Sequence, residues 1–327
     1  MKKSDLLVLD HFLFGNELRN RSSVNKYVAK LSWQVGLSDD GKLLREFLRQ
    51  TCQISKRGLA DIKFNGGLIL VNEKEVTVRS VISKGDLVSL YLPTEKVSDT
   101  LLAEHIKLDI LYEDDHFLVI NKKAGMPTIP SRLYTEGTLA NAVIGYFNEQ
   151  QILSTFHAVN RLDKDTSGLL VIAKHRFAHD QLSKCQQDDK LHRYYKAIVH
   201  GKLVNKEGII NAPIGRNPES IITRKIREDG KRAITYYETE DVFDEYSLVA
   251  IKLETGRTHQ IRVHFSSIDH PLLGDDLYGG SKLIMKRQAL HCYKVEFTHP
   301  FHQRQVIVEA DLPEDMLLVL EQARVEE

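Results

Sequence analysis

Two strings hold the residue types that could do chemistry. The first runs from Asn160 to Lys174 and reads NRLDKDTSGLLVIAK. Its second half, Leu169 to Ala173, is a short apolar run of the kind that forms a buried strand. A loop leading straight into such a strand is held by the core behind it, so a carboxylate on that loop can be aimed as catalysis requires. Asp163 is that carboxylate. Arg161 lies just before it, and Thr166, Ser167 and Gly168 supply local hydrogen bonds and a permissive backbone. The plainer reading is an Asp that only ties down a turn. The second string, LETGRTHQIRVH, runs from Leu253 to His264. Gly256 breaks a strand there, and Thr258 is placed to cap a helix running through Ile261 and Phe265. His259 and His264 invite a metal reading, but no carboxylate or cysteine stands at ligand spacing, and no metal is expected.

Several elements must position these strings. Ile110 to Tyr112 and Phe117 to Ile120, around a turn at Asp114 and Asp115, read as a hairpin. Ala178 to Gln187 reads as a helix, and Arg193 to Gly201 as a strand. Further strands and turns follow over Asn211 to Arg216, Gly230 to Tyr237 and Tyr246 to Leu253, then closing strands over Leu290 to Phe297 and Gln305 to Ala310, before a terminal helix over Met316 to Ala323. Many strands with few helices indicate an α+β domain on a large, mostly antiparallel sheet.

Ahead of this domain, Leu44, Phe47 and Leu48 fall at helical spacing, and Ser55 opens a second helix with Leu59 and Ile62 inward. Lys56 and Lys63 share a face of that helix, with Arg57 beside them, and spaced cations suit a phosphate backbone. Leu68 to Val71, a turn at Asn72 and Glu73, and Val76 to Leu92 read as strands and turns. The whole chain has 45 basic and 45 acidic residues. That balance hides an asymmetry, since Gly41 to Pro93 carries nine Lys and Arg against five acids. Domains are therefore expected at 1–40 (an extension, partly disordered or a leading strand over Leu31 to Leu37), 41–93 (a candidate polyanion-binding module), 94–105 (a polar linker) and 106–327 (the domain that holds both strings).

At 327 residues, with 42% hydrophobic and 28% charged content, the composition is that of a soluble globular protein. No window is apolar enough to span a bilayer, and Met1 to Asn16 lacks the pattern of a secretory signal. Cys52, Cys185 and Cys292 are scattered and odd in number, which suits reduced thiols in the cytoplasm. There is no glycine-rich phosphate loop, dinucleotide fingerprint or Cys/His cluster, so no cofactor is expected.

The first string resembles the signature H-R-L-D-x-x-T-S-G-L of the RluA/RluD-type pseudouridine synthases, with Asn160 where the best-known members have His. The second string resembles that family's second signature. Further likenesses are the opening around Tyr112 to Gly125, with Lys123 where Pro is usual, the pattern Arg193, Tyr195, Ala197, Val199 and Gly201, and Asp275, Tyr278 and Gly279. The segment 41–93 resembles an S4-like RNA-binding domain.

The resemblance implies the pseudouridine synthase fold, with a large mixed, mostly antiparallel sheet and a small N-terminal S4-like α/β domain. It implies an enzyme that breaks the N1–C1′ bond of a uridine, turns the base over and joins C5 to C1′. Asp163 would act at the ribose, as a nucleophile or as a base, and the residues do not decide which. Arg262 would pair with it and fix its orientation. Tyr195 would stack on the base or accept the C5 proton. Arg161 would fill the gap left by a flipped base. Arg257, His259 and Gln260 would contact RNA near the site, and Lys56, Arg57 and Lys63 would contact it farther away. The expected partner is structured RNA, large-subunit ribosomal RNA before transfer RNA, acted on by a monomer. An inactive RNA-binding protein is the rival from another class, and it predicts a damaged signature, whereas Asp163, Tyr195 and Arg262 are all present.

Overall fold

The computed structural model describes residues 26–326. The expected disorder of the far N-terminus and the reading of Met1 to Asn16 fall on residues outside that range.

Ten strands form one large sheet. From one edge the order is Glu207–Asn211, Ile234–Val242, Tyr246–Leu253, Leu191–His200, Leu290–Thr298, Ser167–Ala173, Phe117–Lys122 and Ile110–Glu113. Gln305–Glu309 also pairs with Leu290–Thr298, and His157–Ala158 with Ser167–Ala173. All the pairings are antiparallel except one, where Leu290–Thr298 meets Ser167–Ala173 in parallel through His291 with Ser167 and Cys292 with Gly168. This is the α+β class that the strand-rich pattern indicated.

That parallel seam is where the two halves of the sheet join. Every residue of Ser167–Ala173 is buried, which requires the unbroken apolar run seen in the sequence. Gly168 has φ of +108°, and a Cβ there would stand 2.3 Å from the Cys292 carbonyl oxygen. No other residue type fits without moving the neighbouring strand. The glycine of the first string thus sets the strand spacing behind the loop that carries Asp163.

A second sheet of four strands has the order Tyr27–Gln34, Leu87–Pro93, Leu68–Val71, Lys74–Glu75. The first of these begins and ends earlier than the strand expected over Leu31 to Leu37, because Leu37–Asp39 turns into a single 3-10 turn. Asn72 and Glu73 both take positive φ, +49° and +64°, the conformation that a two-residue hairpin loop demands. The helix Lys56–Phe64 is capped by Ser55, whose hydroxyl accepts from the Gly58 amide at 3.0 Å. Leu59 and Ile62 are buried, while Lys56, Arg57 and Lys63 are exposed. This unit touches the large one where the Gln53 carbonyl accepts from Lys184 Nζ at 2.7 Å and Gln181 Nε2 at 3.2 Å, both on the helix Arg176–Gln187.

The stretch 94–105 forms neither strand nor helix, yet it is bound down. The Glu95 carboxylate takes the Arg176 amide at 2.8 Å and His157 Nε2 at 2.5 Å, and the Glu104 carboxylate takes the Gly137 amide at 2.9 Å. No helix among the described residues is long and apolar enough to cross a membrane.

Candidate active site

Four consecutive carbonyls fix the loop that presents Asp163. The Leu162 oxygen accepts from Thr128 Oγ1 at 2.7 Å, the Asp163 oxygen from the Thr166 amide at 3.1 Å, the Lys164 oxygen from Lys122 Nζ at 3.0 Å, and the Asp165 oxygen from Arg287 Nη1 at 3.1 Å. Three of the donors come from outside the loop, and the Thr166 amide closes it from within. A backbone tied at every residue has little freedom to swing, so the carboxylate direction is set before substrate arrives. Asn160 closes the loop from the other end, with Oδ1 accepting from the Val171 amide at 2.9 Å.

Lys122 is the most buried of these anchors, with 1% of its surface exposed. Its ammonium spends all three hydrogens on carbonyls, those of Lys123 (3.0 Å), Met126 (2.9 Å) and Lys164. Burial pulls its pKa down to about 7, against the attraction of Asp165 and Asp163.

Arg262 lies on the helix Gln260–Ser267 and is buried. Its Nε and Nη2 donate to the two oxygens of Asp275, each at 2.7 Å, and Nη1 donates to Asp163 Oδ2 at 3.0 Å. Burial opposes the charge of Arg262, but the bonds and attraction of Asp275 and then Asp163 outweigh it and hold the guanidinium above its ordinary pKa. Asp275 has no exposed side-chain surface, so the clamp works in a medium where such bonds are strong. The guanidinium also sits over the Tyr278 ring, 4.9 Å from its centre. His259 Nδ1 meets the Tyr278 hydroxyl at 2.7 Å, and its Nε2 stands 3.8 Å from Asp163 Oδ2. Burial lowers the His259 pKa although Asp163 pulls the other way, which favours a neutral ring beside the carboxylate.

Two expectations about this turn are corrected. The helix is not capped by Thr258; His259 is the N-cap, in the left-handed region with φ of +57°, and no side chain caps it. The organising role falls to Gln260, which was expected to contact RNA. Its Oε1 accepts from the Arg257 amide (2.9 Å) and Thr255 Oγ1 (2.8 Å), and its Nε2 donates to the Ile234 carbonyl (2.9 Å) and Thr235 Oγ1 (3.0 Å). Those four bonds exhaust a side-chain amide, so Gln260 shapes the turn and has no bond left for RNA.

Asp163, Tyr195, Arg262, Arg161, Arg257 and His259 all line one cavity of about 420 Å³. Tyr195 lies on the strand Leu191–His200 and is only 4% exposed. Its hydroxyl pKa is raised by burial and by the neighbouring Cys292. Arg161 and Arg257 are exposed at the rim, and Arg257 is steadied by a bond from Nε to the Arg232 carbonyl at 2.9 Å. The volume falls in the range of roughly 300–1,000 Å³ typical of sites for small groups. Lys56, Arg57 and Lys63 are not among the residues around the cavity; they belong to the helix of the smaller unit.

The sequence pattern did not single out Thr128, Lys122 or Arg287, and gave Asp275 no role. Lys122 and Asp275 do stand within the strings that carried the resemblance, but Thr128 and Arg287 had no comparable signal.

The model of the RNA pseudouridylate synthase family matches residues 116–267. The uncharacterized RNA pseudouridine synthase YjbO of Bacillus subtilis is 49% identical over 263 residues, covering 80% of this chain and 93% of that protein. The ribosomal large subunit pseudouridine synthase D of Nitrosomonas europaea is 37% identical over 265 residues, covering 78% and 77%. Among solved structures, human RNA pseudouridylate synthase domain containing 1 aligns with a TM-score of 0.53 at 25% identity, covering 68% of this chain and 96% of that one.

Proposed function

The chain belongs to the RNA pseudouridylate synthase family and is an isomerase that acts on RNA, and on that premise we propose that Asp163 attacks or deprotonates the ribose of a flipped uridine in large-subunit ribosomal RNA. The observation that carries this reading is the Asp163 carboxylate, held at 3.0 Å by a buried arginine and facing a cavity that Tyr195 also lines. A carboxylate acting at C1′ must be aimed; the bond from Arg262 does this, and Asp275 keeps Arg262 in place. Either route, adduct at C1′ or proton removal from the sugar, sends the N1–C1′ electron pair to the base, which then turns and bonds through C5. Tyr195 stacks against the base or takes the C5 proton late in the reaction. Arg161, planar and exposed at the rim, occupies the place the base leaves in the stack. Arg257 and His259 meet the RNA beside it.

The small unit, whose four-stranded sheet includes Tyr27–Gln34 and so extends before the expected start at residue 41, acts as an S4-like module that grips a helix by its backbone through Lys56, Arg57 and Lys63, while the loop that holds the uridine enters the cavity. Ribosomal RNA is preferred to transfer RNA because relatives such as the Nitrosomonas europaea protein bear that substrate in their names. Three free thiols suit the cytoplasm. Mapping pseudouridines across total RNA from cells with and without the gene tests the substrate: a site lost from large-subunit RNA is the expected result, and sites lost only from transfer RNA would move the assignment there.

A further inference from the structure

Among the described residues, Arg193 is a buried cation without a counter-charge. It is 6% exposed and shares with Tyr195 the buried face of the strand Leu191–His200. Its Nε has no hydrogen-bond partner, and among the described residues it forms no ion pair. The carboxylates of the site are engaged elsewhere, Asp163 with Arg262 and His259, and Asp275 with Arg262. Arg193 nevertheless lines the cavity with Asp163 and Tyr195. Its terminal nitrogens lie against Gly256, where a Cβ would meet both at 3.1 Å, so the glycine of the second string leaves room for the guanidinium. The charge is felt nearby: burial drives up the pKa of the Tyr195 hydroxyl and the Cys292 thiol, and Arg193 opposes the rise in both.

A buried guanidinium with no counter-charge and an unpartnered Nε costs the folded protein stability. Such a group makes sense where a substrate supplies the missing acceptor. A phosphate is the poorer candidate, because exposed Arg161 and Arg257 already stand at the rim where a backbone would pass, while Arg193 lies deep beside Tyr195. The base itself is what enters. When the N1–C1′ bond breaks, its electron pair goes to N1 and spreads onto O2 and O4; when C5 bonds to C1′ the ring is neutral again, and the later loss of the C5 proton is balanced by a proton gained at N1. Charge therefore resides on the base carbonyls only between those two events.

Resting on the function proposed above, we propose that Arg193 is a catalytic residue whose guanidinium binds a carbonyl oxygen of the flipped uracil and stabilises the negative charge it carries while the base is detached. The test uses the full-length enzyme and a stem–loop RNA carrying the mapped target uridine, or 2-thiouridine or 4-thiouridine at that position. Arg193→Met is expected to lower the single-turnover rate by about a hundredfold or more, as removal of a charge-stabilising donor does. RNA affinity should change by less than about threefold, and the thermal midpoint should stay level or rise, because an unpaired buried charge is gone. One of the two thio substitutions should cost the wild type about tenfold and cost Arg193→Met almost nothing more, since the interaction it weakens is already absent. Arg193→Lys, with a point charge but no fork, should fall between them.

Thio effects of equal size in wild type and variant would overturn the proposal. So would weakened RNA binding with an unchanged rate, which would make Arg193 a phosphate ligand, or a lower midpoint with an unchanged rate, which would make it structural. Wild-type enzyme that left every target uridine unchanged would instead refute the parent reading, and the proposal with it.

Discussion

Arg262 reaches Asp163 through a single nitrogen, Nη1 at 3.0 Å, while Nε and Nη2 of the same guanidinium are locked to Asp275 at 2.7 Å each. The carboxylate that faces the cavity is thus oriented by a cation that is itself held by a second, fully buried carboxylate. Asp275→Asn should therefore damage stability and activity together. Removing one partner of a buried charge pair costs about 3–5 kcal/mol, which urea unfolding would register, and the freed guanidinium should cost at least about tenfold in rate. Wild-type stability in that variant would show that the pair is not the anchor described.

The loop tie through Lys122 gives a prediction in pH. With the folded ammonium near 7 and an unfolded lysine near ~10.4, the unfolded chain holds the extra proton between those values. This group's contribution to stability therefore rises with pH across that window. Activity should run the other way, because a neutral amine has too few hydrogens for three carbonyls. The rate should fall above about pH 7 in the wild type. Lys122→Met should lower the neutral-pH rate by about tenfold to a hundredfold and lose that falling limb. The same limb in wild type and variant would assign it to another group.

Much of the site was legible because it is local. Asp163, the buried strand after it and the glycine of the parallel seam fall within one string, and local pattern is what sequence shows directly. The ties on that loop were not legible. Thr128, Lys122 and Arg287 reach it across 34, 42 and 122 residues, and no periodicity reports such pairings. The parallel pairing of His291 with Ser167 was hidden for the same reason. Gln260 was misjudged because an amide in a string of cations reads as a substrate ligand, whereas here it closes a turn by satisfying four backbone and hydroxyl groups. The helix Leu139–Glu149 was passed over although Thr138 caps it, since its cap partner is Asn141 where Glu or Gln is the usual signal.

Lys56, Arg57 and Lys63 give a prediction in salt. If all three meet phosphates, changing them together to Ala should reduce the slope of log affinity against log salt by roughly 0.9 for each phosphate no longer neutralised. The isomerisation rate of RNA already bound should hardly change, because none of the three lines the cavity. An unchanged slope would show that this helix does not touch RNA.

Arg161→Ala should separate flipping from chemistry. Without a planar group to fill the stack, a uridine in a paired or stacked setting should lose about tenfold more rate than one in an unstructured strand, where unstacking costs less. Equal losses on both substrates would place Arg161 in binding alone.

On the proposed function, the Asp163 carboxylate does the chemistry. Asp163→Asn keeps the shape of the side chain and removes its charge. The measurement is single-turnover pseudouridine formation on the mapped target RNA, with binding measured on the same RNA. No detectable product is expected, with RNA affinity within about threefold of wild type. A rate within about tenfold of wild type would be a loss of no more than about 1.4 kcal/mol in transition-state stabilisation, too little for the group that attacks or deprotonates the ribose, and would contradict that role.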